Sequence, residues 1–190
     1  YDHRNHGLSD KMPTTMGANE KEDLAFVCAW ARTHYGEDAV LGTLGESMGA
    51  ATVMLHAGMD ERLAFVVEDC GYSDLRKLLK SVVTTRFHLP AFPVLQIASL
   101  FSRMRGGVLF RSVCPADALK LNTATPMLFI HGDADELVPP AMLQECFDAK
   151  PGVKELWLVP TAPHAGSYAT DREGYRAHLR QFLAENKLIS

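Results

Sequence analysis

Cysteine is scarce in this chain, and its spacing is uninformative for metal or disulfide chemistry. Cys28, Cys70, Cys114 and Cys146 are far apart, with no C-x-x-C pair and no Cys/His cluster at ligand spacing. They read as small buried hydrophobes, and neither a metal nor an organic cofactor is expected. Basic charge is also in short supply. A formal net charge of -4 gives no electrostatic reason to expect a nucleic-acid partner. No internal repeat or low-complexity tract is present. No apolar run approaches the ~20 residues of a membrane span; the longest, Phe87 to Phe101, is broken by Pro90 and Pro93. What remains, 47% hydrophobic and 22% charged residues over 190 positions, suits one globular domain.

The most informative segment is Gly45-Glu46-Ser47-Met48-Gly49. It lies between the apolar run Ala39-Val40-Leu41 and the helix-compatible Ala50-Ala51-Thr52-Val53-Met54-Leu55. A strand, Gly-x-Ser-x-Gly and a helix in succession make the sequence form of a nucleophile elbow, in which a sharp turn lifts a serine hydroxyl clear of the sheet. Small residues at 45, 49 and 50 allow strand and helix to approach closely around a strained serine backbone. Ser47 is therefore the candidate nucleophile; the plainer alternative is a glycine-rich turn with a helix-capping serine.

A serine hydroxyl needs a base within hydrogen-bond reach and a carboxylate to orient that base. Both occur downstream. Thr125-Pro126 opens the apolar strand Met127-Leu128-Phe129-Ile130, which leads into His131-Gly132-Asp133-Ala134-Asp135. Asp133 and Asp135 thus fall just beyond a strand's carboxyl end, where open α/β sheets place their sites. The next strand candidate, Glu155 to Val159, is followed by a loop containing His164. The order Ser, Asp, His is that of the α/β-hydrolases and differs from the chymotrypsin and subtilisin orders.

On these residues the whole chain resembles the α/β-hydrolase superfamily. The opening Tyr1-Asp2-His3-Arg4-Asn5-His6-Gly7-Leu8-Ser9 is similar to the D-x-R-G-H-G-x-S segment after that fold's fourth strand, with Asn5 in place of glycine. The elbow, the H-G-x-x-D-x-x-V-P segment from His131 to Pro139, and the His164 loop follow in family order. Within the superfamily the chain looks closest to bacterial prolyl-oligopeptidase-like and cell-surface serine hydrolases. The resemblance implies Ser47 as nucleophile, His164 as general base and acid, Asp135 as orienting acid and the Met48 backbone N–H as an oxyanion-hole donor. Asp133 is then left to fix the loop by bonding backbone N–H groups. The family's second oxyanion donor follows its third strand, and this chain begins at the end of the fourth. We therefore expect the first three strands to lie upstream of Tyr1, and the Val40 strand to be an exposed sheet edge without them.

The implied substrate is a small ester, amide or short peptide. The alternatives are an acyltransferase or thioesterase on the same triad, or a non-catalytic protein of hydrolase fold.

Periodicity predicts a helix from Asn19 to Tyr35, with Asn19 and Glu22 as a capping box and Leu24, Val27, Cys28, Ala31 and Tyr35 as its apolar stripe. Gly58 is expected to end the helix after the elbow, and Leu63 to Val67 to form a buried strand. A helix is expected from Pro140 to about Ala149. Thr170 and Glu173 are expected to box a last helix on which Tyr175, His178, Leu179 and Phe182 share a face.

Residues 72–119 break the alternation and are long for a connection. The resemblance makes them a helical lid inserted into a single partial domain spanning residues 1–190. Arg103, Arg105 and Arg111 could there hold an anionic group, although such arginines more commonly form a solvated face. His3, His34, His56, His88 and His178 are assigned surface or packing roles. His6 is expected to shape the turn beneath the site, and His131 to structure the acid loop.

Overall fold

The computed structural model describes residues 1–189. Its centre is a four-stranded parallel sheet in the order β1-β2-β3-β4, formed by Gly42–Glu46, Phe65–Asp69, Met127–Gly132 and Lys154–Val159. Parallel neighbours require crossovers, and helices supply each one. α1 (Glu20–Tyr35) precedes β1, and α2 (Met48–Ala57) joins β1 to β2. α3 (Leu75–Thr85), α4 (Ala91–Gly106), a 3-10 turn at Phe110–Ser112 and α5 (Pro115–Leu119) lie between β2 and β3. α6 (Ala141–Ala149) joins β3 to β4, and α7 (Ser167–Thr170) and α8 (Arg172–Glu185) follow. This is the α/β class predicted from the sequence.

Every residue of β3 is buried, as expected of a parallel strand covered on both faces. On one face Phe129 and Met127 pack with Leu24 and Cys28 of α1, Met54 of α2 and Leu143 of α6. On the other, Val67, Leu128, Ile130 and Val159 meet Tyr175 and Phe182 of α8. The consecutive apolar residues of β2 and β3 thus feed two cores. Cys28, Cys70 and Cys146 are buried and free.

Several boundaries differ from the sequence reading, each for a tertiary reason. The first strand starts at Gly42, and Val40 is exposed at 66%. Gly42 pairs with Phe65, and a Cβ at Gly42 would stand 2.2 Å from the Phe65 ring. Pairing therefore begins where a glycine admits that ring. β1 remains an edge strand, with Leu44 turned outward.

α1 does not use the Asn19 side chain as a cap. Instead the buried Glu20 carboxylate accepts from Thr15 N, Thr15 Oγ1 and Gly17 N at 2.7, 2.6 and 2.8 Å, wrapping the preceding turn around itself. Tyr35 is exposed because the buried stripe ends at Arg32, which pairs with Asp60 at 2.9 Å. The last helix is capped by Asp171, which accepts from Gly174 N at 2.8 Å, and Thr170 closes the short α7 instead. Tyr175 and Phe182 are buried, while His178 stacks on Trp157 with ring centroids 4.2 Å apart.

Gly132 ends β3 where the backbone of the β4–α7 loop crosses it. A Cβ there would lie 2.1 Å from the Ala162 carbonyl oxygen. Gly132→Ala is therefore expected to lower stability by about 1–3 kcal/mol, the usual cost of overpacking, with a lower Tm in thermal denaturation.

Candidate active site

Ser47, Asp135 and His164 occupy three loops at the carboxyl ends of three parallel strands. Ser47 stands between β1 and α2, Asp135 between β3 and α6, and His164 between β4 and α7. Parallel strands all end on one side of the sheet, so residues far apart in sequence converge there.

Ser47 has φ 54 and ψ -113, a left-handed conformation that costs a non-glycine residue about 1–3 kcal/mol. Two features hold it. Its N–H donates to the Asp69 carbonyl at 2.8 Å, and its carbonyl accepts from Ala51 N at 3.1 Å. The turn closes because Gly45 lies against Gly49, where a Cβ would be 2.2 Å from the Gly49 carbonyl oxygen.

The strained turn presents Ser47 Oγ 2.8 Å from His164 Nε2, and His164 Nδ1 lies 2.7 Å from Asp135 Oδ2. A carboxylate only accepts, so Nδ1 carries the proton and Nε2 is left free to accept from the serine hydroxyl. The Met48 N–H, at the first position of α2, has no helical partner and points from the helix's positive end.

The Asp135 side chain is fully buried, and both of its oxygens are engaged. Oδ1 accepts from Leu137 N and Val138 N at 2.8 and 2.9 Å. Oδ2 receives His164 and also lies 3.2 Å from His131 Nε2. Burial alone would raise this carboxyl, but the two histidines and two amides outweigh it and hold the pKa at about 2. Asp133 takes the loop-fixing part, accepting from Thr161 N at 2.5 Å and so tying the Asp135 loop to the His164 loop.

His131 structures the acid loop, as the sequence reading expected. Its Nε2 donates to the Val138 carbonyl at 2.9 Å, so it packs against the same Asp135 turn from beneath. Burial works against a charged ring, yet Asp135, the Val138 carbonyl and Glu68 together raise its pKa.

Glu68 was missed altogether. It pairs in register with Phe129, two residues before His131 on the same face of β3. Burial pushes its carboxyl up to about 8. Gly71 N donates to Oε2 at 3.0 Å, while Glu68 Oε1 and His131 Nδ1 are buried without partners. Burial likewise raises Asp69 to about 6, although Ser167 Oγ donates to it at 2.7 Å. The available signal was the Glu68-Asp69 doublet closing an apolar strand, which must send one carboxyl to each face.

Cys70, Asp135 and His164 bring ligand-type atoms within 4.8 Å of one another. The set suits no ion, because His164 Nδ1 carries the proton shared with Asp135, both Asp135 oxygens already accept, and burial holds the Cys70 thiol protonated. His6 is exposed, its Nδ1 bonded to the Arg4 carbonyl, and it does not line the cavity at Ser47. His3 comes nearer: with Tyr1, Leu24, Leu44 and Met48 it lines a cavity of about 570 Å³ that reaches Ser47.

No family model matches the chain. It is 34% identical over 185 residues to the uncharacterised Bacillus subtilis protein YqkD, covering 96% of this chain and 60% of that protein's length. It superposes on the Pyrococcus furiosus esterase Pf2001 with a TM-score of 0.73 at 24% identity, over 97% of this chain and 68% of that one. For Est1E from Butyrivibrio proteoclasticus, solved with ferulic acid bound, the TM-score is 0.77 at 18% identity, over 99% and 76% of the two chains. The fold is that of the α/β-hydrolases.

Two pH dependences follow. A depressed folded pKa contributes stability above the ordinary carboxyl value that is lost as pH falls through the folded one. Wild type should thus lose stability between about pH 4 and 2 through Asp135, and denaturant titrations of Asp135→Asn should lack that component. Glu68 has the opposite sign. The folded protein keeps a proton that the unfolded chain releases near pH 4.5, so stability declines with rising pH up to about 8. Glu68→Gln should flatten the stability curve between pH 5 and 8.

Proposed function

We propose that this protein is a serine hydrolase of carboxylesterase type, with Ser47, His164 and Asp135 as its catalytic triad. The observation that carries this reading is the continuous hydrogen-bonded path from hydroxyl to imidazole to buried carboxylate, assembled from three strand ends. Pf2001 is named an esterase and has the same fold, which supports ester chemistry. Placement near the prolyl-oligopeptidase-like and cell-surface hydrolases rests on the motifs alone.

In the proposed mechanism the serine oxygen attacks the carbonyl carbon of an ester or amide while His164 Nε2 takes its proton. The buried Asp135 anion keeps the Nδ1 proton in place and stabilises the imidazolium that forms. Charge develops on the carbonyl oxygen, and the Met48 N–H, fixed by the elbow, is a donor to it. His164 returns the proton to the leaving oxygen or nitrogen, giving an acyl-serine. Water, deprotonated by His164, then adds to the acyl carbon; collapse releases the acid and restores Ser47. We read residues 72–119 as the insertion that stands where the family carries its lid; the cavity at Ser47 itself is lined by residues between Tyr1 and Val53.

Ser47→Ala should lower esterase turnover by on the order of 10⁴-fold or more, with His164→Ala similar and the double variant scarcely worse, since the residues act as a unit. A fluorophosphonate probe should label Ser47 in the folded intact protein. An unlabelled Ser47 would instead favour a non-catalytic hydrolase-fold protein, and product formation only with an added acceptor nucleophile would favour acyl transfer.

A further inference from the structure

Between Asp74 and Asp117 the chain carries seven Lys or Arg side chains and no Asp or Glu, within a protein whose net charge is -4. Arg76 and Lys77 are paired with Asp74 and Glu145. Lys80, Arg86, Arg103, Arg105 and Arg111 are exposed and make no salt bridge among the described residues. The same segment turns its apolar side chains outward.

α4 buries none of its 16 residues. Ile97, Leu100, Phe101 and Met104, at helical spacings of three, four and seven, form a solvent-facing stripe that is 52 to 74% exposed. Phe87 and Phe92 extend it at 64 and 73% exposed. Beside the stripe, Phe92, Leu95 and Phe110 line a cleft of about 590 Å³ shared with Arg76, Lys80 and Arg111.

We infer that α4 and its flanking turns are a docking face for an anionic lipid bilayer, lying in the interface with the apolar stripe toward the acyl chains and the arginines among the headgroups. The charge selects this occupant. A second copy would bring two faces of unpaired cations together, and the aliphatic Ile97, Leu100 and Met104 interleaved with the phenylalanines suit acyl chains better than stacked bases. Apolar side chains on one face with unpaired Lys and Arg beside them match the two forces that hold interfacial helices. No helix among the described residues is long and apolar enough to cross a membrane, so the contact is with the surface. This inference stands apart from the hydrolase reading.

The test is co-sedimentation of the intact protein with vesicles of phosphatidylcholine alone or mixed with phosphatidylglycerol. Binding is expected only to the mixed vesicles, and raising NaCl from about 0.1 to about 1 M, which shortens screening from about 10 to about 3 Å, should release it. At about fivefold in partitioning per cation, R103Q/R105Q should bind at least about tenfold more weakly, and R103K/R105K nearly as wild type. Ile97→Ser with Phe101→Ser should also detach a protein whose circular dichroism is unchanged. Ser47→Ala should bind as wild type, keeping this result independent of the chemistry at that residue. Equal binding to both vesicle types, no binding to either, or light scattering showing a dimer that these surface substitutions dissociate would overturn the inference.

Discussion

One buried carboxylate organises the carboxyl end of the sheet. A desolvated anion is tolerated in a protein interior only when its partners are complete, and Asp135 is supplied from four directions: two amides of its own turn, His164 from the loop after β4 and His131 from β3. Because these partners belong to separate elements, satisfying the anion also fixes where those elements stand. The imidazole that faces Ser47 is therefore held by the same interaction that seats the acid loop, and the Asp133 bond to Thr161 N reinforces the register of the two loops.

Close backbone contact is the second condition. At Gly45 and Gly132 the chain passes another main-chain segment with no room for a Cβ, once at the elbow and once beneath the His164 loop. These two approaches bring the strand ends near enough for a hydroxyl and an imidazole to meet at 2.8 Å. Below them, Glu68 and His131 add a second buried acid and base against the same strands; burial raises the carboxyl, and Asp135, the Val138 carbonyl and Glu68 raise the imidazole against its burial.

The elements and the strand-end positions of Ser47, Asp135 and His164 were legible because local residue types dictate them: a glycine-flanked serine, apolar runs for covered strands, polar loops after them. The misses share a cause. Gly42 rather than Val40 opens β1 because a ring from β2 lies across it, and Glu20 rather than Asn19 organises the start of α1 because the preceding turn folds back over it. Asp171 displaced Thr170 as a cap by a one-residue difference in where α7 ends. Pairwise burial of Glu68 and His131 depends on strand register, which single-sequence periodicity does not contain. The outward stripe of α4 was not legible, because apolar spacing alone does not say which side faces water.

The backbone at Ser47 sets local relaxation against the hydroxyl that meets His164. At φ 54 the turn would relax with glycine, yet glycine has no hydroxyl to offer. The domain thus carries local backbone strain at Ser47, held in place by the Asp69 and Ala51 hydrogen bonds and by the close approach of Gly45 to Gly49.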